Sequence, residues 1–590
     1  MANSPHLHLL LPLFLLLSLS TLTTSSRHSS KPKLKPNPTP SNSASPPLPP
    51  APLPILLACN ATRFPSLCVS SLTSPSPPSS PSVLSLLSTS FSASLASIPP
   101  AISTAKSILS YSSNNPNRSN AATNCIEFLT LSLYRLTTAS KLISLSSPPL
   151  PSARILSSAA LLYQYDCWSA YKYVNDSSKV SDAMAFLANN LTALTSNTIS
   201  MLAALQRYGD DTSLWGPPQT ERDGYWPEPA AVKYGDGSSI GGVPTGLKPS
   251  VTVCKTGTCN YDTVQKAVDA APENGKNWYV VYIKSGVYEE TVHVPYEKTN
   301  VVFVGDGMGK TVITGSLNAD TVGVSTYNTA TVGVLGDGFM ARDLTFANIA
   351  AGPKVHQAVA FRSDSDLSVL DSVEFLGHQD TLYAHSLRQF YTNCKISGTI
   401  DFIFGNSASI FHNCSIFVLP RFDPKAPTTK KIAANNVTAP GRTNPAQSTS
   451  TTKKITANKI TAHGRTDPAQ STGFVFQNCV IDGSADYLAL YKKNQTKYQA
   501  FLGRPWKEYS RTVFINCLLE QIIHPEGWTN WDGDFALKTL FYGEYGSRGP
   551  RGDATRRVSW SSQVPKEHVG VYSVENFIQG DQWIPKAGSK

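Results

Sequence analysis

Charge is scarce in this chain: Asp, Glu, Lys and Arg make up 15% of its 590 residues, where an ordinary globular protein has about 25%. The little charge present leans basic, 50 Lys and Arg against 40 Asp and Glu for a net of +10. That balance favours a polyanionic partner such as nucleic acid, an anionic membrane or an acidic polysaccharide. No Cys-x-x-Cys spacing occurs among the ten cysteines, which points away from zinc and toward disulfides in an exported protein. No apolar run beyond the N-terminus reads as long enough to span a bilayer. The N-terminal run, Leu9 to Leu19, is itself too short, and mostly small polar residues follow to Ser26. Residues 1–26 therefore read as a cleaved signal peptide, although His6 and His8 replace the usual Lys or Arg and leave a retained anchor as the alternative. Length excludes a lone binding module, since one core stops growing near about 250–300 residues.

Proline, by contrast, is plentiful at 43 residues, and much of it is local. Residues 27–54 are a Pro/Ser-rich stretch that favours extended polyproline II and buries no core, a disordered tether. Residues 55–207 carry apolar positions at helical spacing, as in Cys125-Ile-Glu-Phe-Leu-Thr-Leu-Ser-Leu-Tyr-Arg-Leu136, which predicts a small all-α bundle. Residues 208–247 are rich in Gly, Pro, Asp and Trp with neither period and read as a linker. From 248 to 590 the texture is all-β: short β-branched and aromatic runs such as Tyr279-Val-Val-Tyr-Ile283 and Val301-Val-Phe-Val304, bounded by Gly and Asn.

Within that part a phrase recurs: Asp371-Ser-Val-Glu-Phe375, Asn393-Cys-Lys-Ile396, Asn413-Cys-Ser-Ile416, Asn478-Cys-Val-Ile481 and Asn516-Cys-Leu-Leu519. A period near 20–25 residues without intervening helices predicts a right-handed parallel β-helix whose coils stack at about 4.8 Å. A β-sandwich with regular strand spacing is the competing architecture. Stacking also predicts a disulfide between Cys394 and Cys414, which occupy the same place in successive phrases. Asp380 and Asp401 are 21 residues apart, and Gln357 precedes Gln379 by 22, so the coil model puts two carboxylates and two amides side by side. Two close carboxylates cannot both ionise freely, which fits an acid beside a nucleophile or base, and amide donors can hold an oxyanion.

The segments Gly377-His-Gln-Asp-Thr-Leu382, Gly398-Thr-Ile-Asp-Phe-Ile-Phe-Gly405, Gln357-Ala-Val-Ala-Phe-Arg362, Gly286-Val-Tyr-Glu-Glu290 and Leu502-Gly-Arg-Pro-Trp506 resemble the signatures of plant pectin methylesterases over about 251–583. The helical part resembles the pectinesterase-inhibitor-like segment that precedes many of them and implies a four-helix bundle with Cys59, Cys68, Cys125 and Cys167 in disulfides. The resemblance further implies that Asp401 attacks the methyl ester on C6 of galacturonate and that Asp380 donates a proton to methanol. Gln379 and Gln357 would stabilise the oxyanion, Arg504 would orient Asp401, and Trp506, Thr326, Tyr383 and Phe404 would contact substrate. It implies methyl-esterified homogalacturonan as partner, with the chain's own inhibitor-like domain or separate inhibitor proteins. It implies no cofactor, metal, nucleic acid or membrane after signal cleavage, and a secreted, cell-wall location. An inactive pectin-binding or inhibitor protein, or another β-helix polysaccharide-degrading enzyme, is the alternative. The Asn-Thr-Asp, Asp-Asp and Gly-His-Gly set of a polygalacturonase is absent from the β part.

Several matches read as decoys. Gly237-Ser-Ser-Ile-Gly241 lies in the linker without a preceding strand. Gly305-Asp-Gly-Met-Gly-Lys-Thr311 has the wrong spacing for a P-loop. His356, His378 and His385 make no convincing metal set. Two features depart from the family pattern. No dibasic pair occurs in 208–247, which holds only the isolated Arg222 and Lys233. The segment Lys430 to Thr449 is nearly repeated at Lys453 to Thr472, 23 residues on. The second copy reads as the native one and residues 430–452 as an added surface loop rather than an added coil. The pairing of Cys254, Cys259, Cys479 and Cys517 stays open.

Overall fold

The computed structural model describes residues 51–73, 81–227, 240–350, 355–421 and 457–586. The signal segment, nearly all of the tether and the first copy of the duplicated segment lie outside these residues. A short helical hairpin, Leu53–Asn60 and Pro65–Leu72, leads into the long helices Val83–Ser110, Pro116–Ile143 and Leu150–Lys172. The fourth arm is Ser178–Phe186, continued through the π turn Leu187–Leu191 into Thr192–Tyr208. Caps set the helix starts: Ser82 accepts the Ser85 N–H at 3.2 Å and Asn115 that of Arg118 at 3.0 Å, each satisfying a donor that the first turn leaves free. Disulfides Cys59–Cys68 and Cys125–Cys167 tie the hairpin and the two central helices, as the resemblance implied. The sequence reading missed that Val83–Ser110 is, by length and composition, apolar enough to cross a membrane. Its Leu86, Leu87, Phe91 and Ile98 are buried against the rest of the bundle, which accounts for that apolarity.

From Val251 onward the chain winds into parallel ladders of seventeen and seven strands. Successive coils stack in register: Leu382 faces Ile403, which faces Thr461, which faces Gly503. The core is a column of stacked rings, with Tyr391, Phe411, Phe476 and Phe514 following one another at centroid distances of 4.5–4.7 Å. Asn393, Asn413, Asn478 and Asn516 turn the corner between paired strands at φ of 51–56°, a left-handed conformation that Asn tolerates better than most residues. The Asn413 amide donates to Asn393 Oδ1 at 2.7 Å, and the Asn393 amide to Asp371 Oδ1 at 3.1 Å. The first phrase is offset by one residue from the others: Asp371 faces Thr392, and Ser372 takes the left-handed turn.

The disulfide expected between Cys394 and Cys414 is not formed; both are free and buried, as are Cys479 and Cys517. Equivalent positions on neighbouring parallel strands hold their Cα–Cβ bonds parallel, side by side rather than pointed at each other. Each thiol turns to backbone oxygens instead, Cys394 to those of Leu370 and Thr392 at 3.3 Å. The third disulfide, Cys254–Cys259, closes a small loop at the start of the β-helix. The coil holding Ile400–Gly405, Ala408–His412 and Ser415–Val418 bonds directly to that holding Asn458–His463, Gly473–Gln477 and Val480–Gly483. No coil stands between them, and Asn458–His463 belongs to the second copy of the repeat.

The segment read as a linker packs tightly where it is described. Trp215 is buried, Glu221 pairs with Arg511 at 3.0 Å, and Trp226 stacks on His568 at 4.7 Å. Gly305 to Lys310 is a turn between the strands Val301–Val304 and Thr311–Gly315, with no helix after it.

Candidate active site

The register that sets Leu382 against Ile403 and Tyr383 against Phe404 carries Asp380 and Asp401 onto adjacent coils. The Asp380 N–H donates to the Ile400 carbonyl at 3.1 Å. Both carboxylate residues sit at positive φ, 62° and 49°, strained positions of the kind that collect at functional sites. Gly405 closes the same segment: a Cβ there would stand 1.9 Å from the Ala384 carbonyl oxygen, so the strand could not lie this close with any other residue.

The two carboxylates differ in their surroundings. Asp401 is gripped by the Arg504 fork, Nε to Oδ1 at 3.0 Å and Nη2 to Oδ2 at 2.5 Å, a bidentate charge-assisted pair. Asp380 has no such partner: burial and the adjacent Asp401 push its carboxyl well above the usual range, with Arg504 acting weakly the other way. Gln379, directly before Asp380 on the same coil, forms a parallel bridge with Gln357 on the coil before it. Their side-chain amides have no partner among the described residues, so their donors remain available. Tyr383 stacks on Phe404 at 4.1 Å and Trp506 meets Phe404 edge-on at 5.9 Å. Thr326 is not drawn to the carboxylates by any contact; it opens the 3-10 turn Thr326–Thr329, against helix Pro116–Ile143. The histidines are engaged separately, His356 with Asp320 at 2.7 Å and His385 with Asp166 and Asp364.

Three residues near the pair escaped the sequence reading. Trp531 lies on the Arg504 guanidinium at 4.0 Å; its signal was the aromatic pair in Gly527-Trp-Thr-Asn-Trp531. Lys459 faces Ile400 across the ladder and is buried. Burial and the cations of Arg504 and Arg421 bring its ammonium down to about 8, although Asp401 opposes them. It is the one acid- or base-bearing chain besides His463 in its strand, which could have marked it. Arg421 also feels Asp401, but burial lowers its pKa.

The helical bundle stands against this same flank. Tyr163 bonds Ser386 at 2.7 Å, Asp166 bonds His385 at 2.8 Å, and Lys507, next to Trp506, donates to Tyr165 at 2.9 Å. Tyr327, next to Thr326, donates to Glu127 at 3.0 Å. Arg135 forks onto Asp337 at 2.6 and 2.7 Å.

Residues 250–456 and 450–581 match the family model described as Pectinesterase, and residues 55–201 match that of plant invertase/pectin methylesterase inhibitors. The chain belongs to the pectinesterase family. The two pectinesterase matches overlap where the second copy of the repeat begins. A relative described as probable pectinesterase/pectinesterase inhibitor 64 of Arabidopsis thaliana is 50% identical over 537 residues, 90% of this chain and 84% of that one. Pectinesterase 2 of Citrus sinensis is 41% identical over 68% of each chain. Pectin methylesterase from carrot, a solved structure, superposes with a TM-score of 0.50 at 40% identity over 58% of this chain and 96% of that one. The inhibitor-type bundle and the pectinesterase β-helix thus occur here in one chain.

Proposed function

We propose that this chain hydrolyses the C6 methyl esters of homogalacturonan, releasing methanol and acidic pectin, with Asp401 as nucleophile and Asp380 as proton donor. The observation that carries the assignment is the asymmetry of the pair: one carboxylate forked by an arginine, the other buried beside it and disposed to hold a proton. An Asp401 oxygen attacks the ester carbonyl carbon, and the oxygen that becomes negative is held by the Gln357 and Gln379 amides. Collapse breaks the bond to methoxide, which takes the Asp380 proton and leaves as methanol. The Asp380 carboxylate then removes a proton from water, whose oxygen attacks the acyl carbon and frees Asp401. The product acid ionises in solution. Tyr383, Phe404 and Trp506 offer ring faces for the sugars.

In this reading the chain divides into the inhibitor-like domain at 55–207, the linker at 208–247 and the catalytic domain at 248–590, and works as a secreted cell-wall enzyme. Asn60-Ala-Thr62, Asn117-Arg-Ser119 and Asn175-Asp-Ser177 have the Asn-x-Ser/Thr form of glycosylation acceptors, and their exposed asparagines support export. The bundle's contacts beside Trp506 and Thr326 support an autoinhibitory role for it. Methanol release from methylated pectin by the secreted chain tests the activity, and its complete absence after the bundle is undocked would refute it. A basic protein on a polyanion should also show salt-dependent affinity, since screening shortens the field to about 8 Å at 0.15 M. Affinity for acidic pectin is expected to fall at least about threefold between low salt and 0.5 M salt by the same principle; an unchanged affinity would contradict the charge argument.

A further inference from the structure

A cavity of about 970 Å³ lies where helices Leu150–Lys172 and Thr192–Tyr208, the segment around Glu221 and the C-terminal segment around Tyr572 meet. Neither Asp380, Asp401 nor Arg504 lines it. Five arginines do: Arg154, Arg207, Arg388, Arg465 and Arg511. Two are neutralised in place, Arg388 by Asp366 at 2.6 Å and Arg511 by Glu221 at 3.0 Å. The other three form no ion pair with a carboxylate among the described residues, although the charges of Glu221 and Asp467 reach Arg154 and Arg465. Arg154 donates to the Ala469 carbonyl at 2.7 Å and to Gln206 Oε1 at 3.4 Å. Arg207 donates to Gln219 Oε1 at 2.9 Å and lies over the ring of Tyr225 at 3.6 Å. Arg465 is 1% exposed, and among the described residues its side chain donates only to the Pro468 carbonyl. Its Nε is buried without a partner, as are Arg511 Nε and Ser471 Oγ on the same wall. Of the acids lining the cavity, Glu221 is spent on Arg511 and Asp223 on capping Thr220; Glu575 and Asp581 pair with none of these arginines.

Unpartnered buried donors are costly unless something accepts from them. Burial and, next, the charge of Arg511 lower the Arg154 guanidinium to about 10 and that of Arg465 well below its usual value. An anion would relieve both effects. The volume is far beyond a bare ion and lies in the range of about 300–1,000 Å³ typical of small-molecule pockets, and Tyr225, Trp226, Tyr572 and Phe577 supply apolar and ring surface. Guanidinium forks match carboxylates in geometry.

We propose that this cavity binds a small organic anion carrying two or more carboxylates, held by Arg154, Arg207 and Arg465 and distinct from the catalytic cleft. The proposal does not depend on the reaction assigned above. Because the walls come from the bundle, the connecting segment, middle coils of the β-helix and the C-terminal segment, the ligand would fasten these parts together and raise Tm by linkage.

The test is calorimetric titration and thermal melting of the full chain with citrate, with trigalacturonate and with inorganic phosphate. At least one carboxylate probe is expected to bind at one site and raise Tm, and which of them does so separates a sugar acid from a compact polycarboxylate. Arg154→Gln and Arg207→Gln are each expected to weaken that binding at least about tenfold, the loss of one charge-assisted contact. Arg207 is exposed, so Arg207→Gln should fold whatever the fate of the other variant. Trp506→Ala, in the cleft, should leave the binding intact. Binding that survives both arginine substitutions but is lost in Trp506→Ala would overturn the proposal, and so would binding of phosphate alone or of none of the three.

Discussion

Asp401→Asn and Asp380→Asn are each expected to lower methanol release by at least about 10²-fold with the coil stack intact, because nucleophilic and general-acid contributions are each of that size. The two variants should differ in stability. Asp401→Asn leaves Arg504, whose side chain is 21% exposed, without its counter-charge, so a modest loss of Tm is expected. Asp380→Asn replaces a carboxyl that burial already disfavours as an anion, so its Tm should hold or rise. Wild-type-like methanol release from either variant would overturn the assignment. The pH profile supplies an independent check. The raised Asp380 pKa keeps its proton available at pH values where an ordinary carboxyl has lost it, and the rate should fall as pH rises through that pKa. Replacing the neighbouring charge with Asp401→Asn removes one cause of the elevation, so the remaining activity should lose its acid form at lower pH.

The stacking of the dyad was legible because a parallel coil converts sequence distance into vertical position: Asp380 to Asp401 and Gln357 to Gln379 each span one coil, and the ladder registers agree with those spacings. The same logic located the recurring phrases whose leading Asn393, Asn413, Asn478 and Asn516 the structure places in left-handed corners. It went astray at Asp371 because a polar residue on either side of the corner gives the same pattern. It went astray again at Cys394 and Cys414, since period fixes the level of a side chain and not its rotamer. Trp531 and Arg421 were harder to place for a different reason: Trp531 reaches Arg504, and Arg421 the field of Asp401, from segments whose length follows no period. Docking of the bundle had no sequence signal either. Arg135 and Asp337 are 202 residues apart, and no repeat connects a helical surface to a turn of the β-helix.

Loosening that docking should switch the enzyme on toward polymer: in the full chain, Arg135→Ala combined with Asp166→Asn is expected to raise methanol release from methylated pectin at least about tenfold. Arg135 is 1% exposed, and its fork is bound to Asp337, which is 27% exposed. Breaking a fully buried pair costs about 3–5 kcal/mol, and the exposure of Asp337 puts this one at the lower end or below. Asp166 adds a charge-assisted bond to His385, itself clasped by Asp364 at 2.6 Å on the other side. Burial lowers the imidazole pKa, but the two carboxylates outweigh it and bring His385 up to about 9. A group whose folded pKa is raised stabilises fully below its ordinary value near 6.5 and loses that contribution as pH rises through about 9. Asp364 stays with His385 when the bundle leaves, so only the share due to Asp166 belongs to docking. Wild-type activity on polymer should therefore climb between about pH 6.5 and 9 relative to the double variant, whose bundle is already loosened. A soluble monomeric methyl galacturonate separates the causes, because a bundle beside Trp506 and Thr326 obstructs a long chain far more than one sugar. If the double variant gained equally on the monomer, or gained nothing on pectin while its helices were shown to be detached, the bundle would not be what closes the cleft.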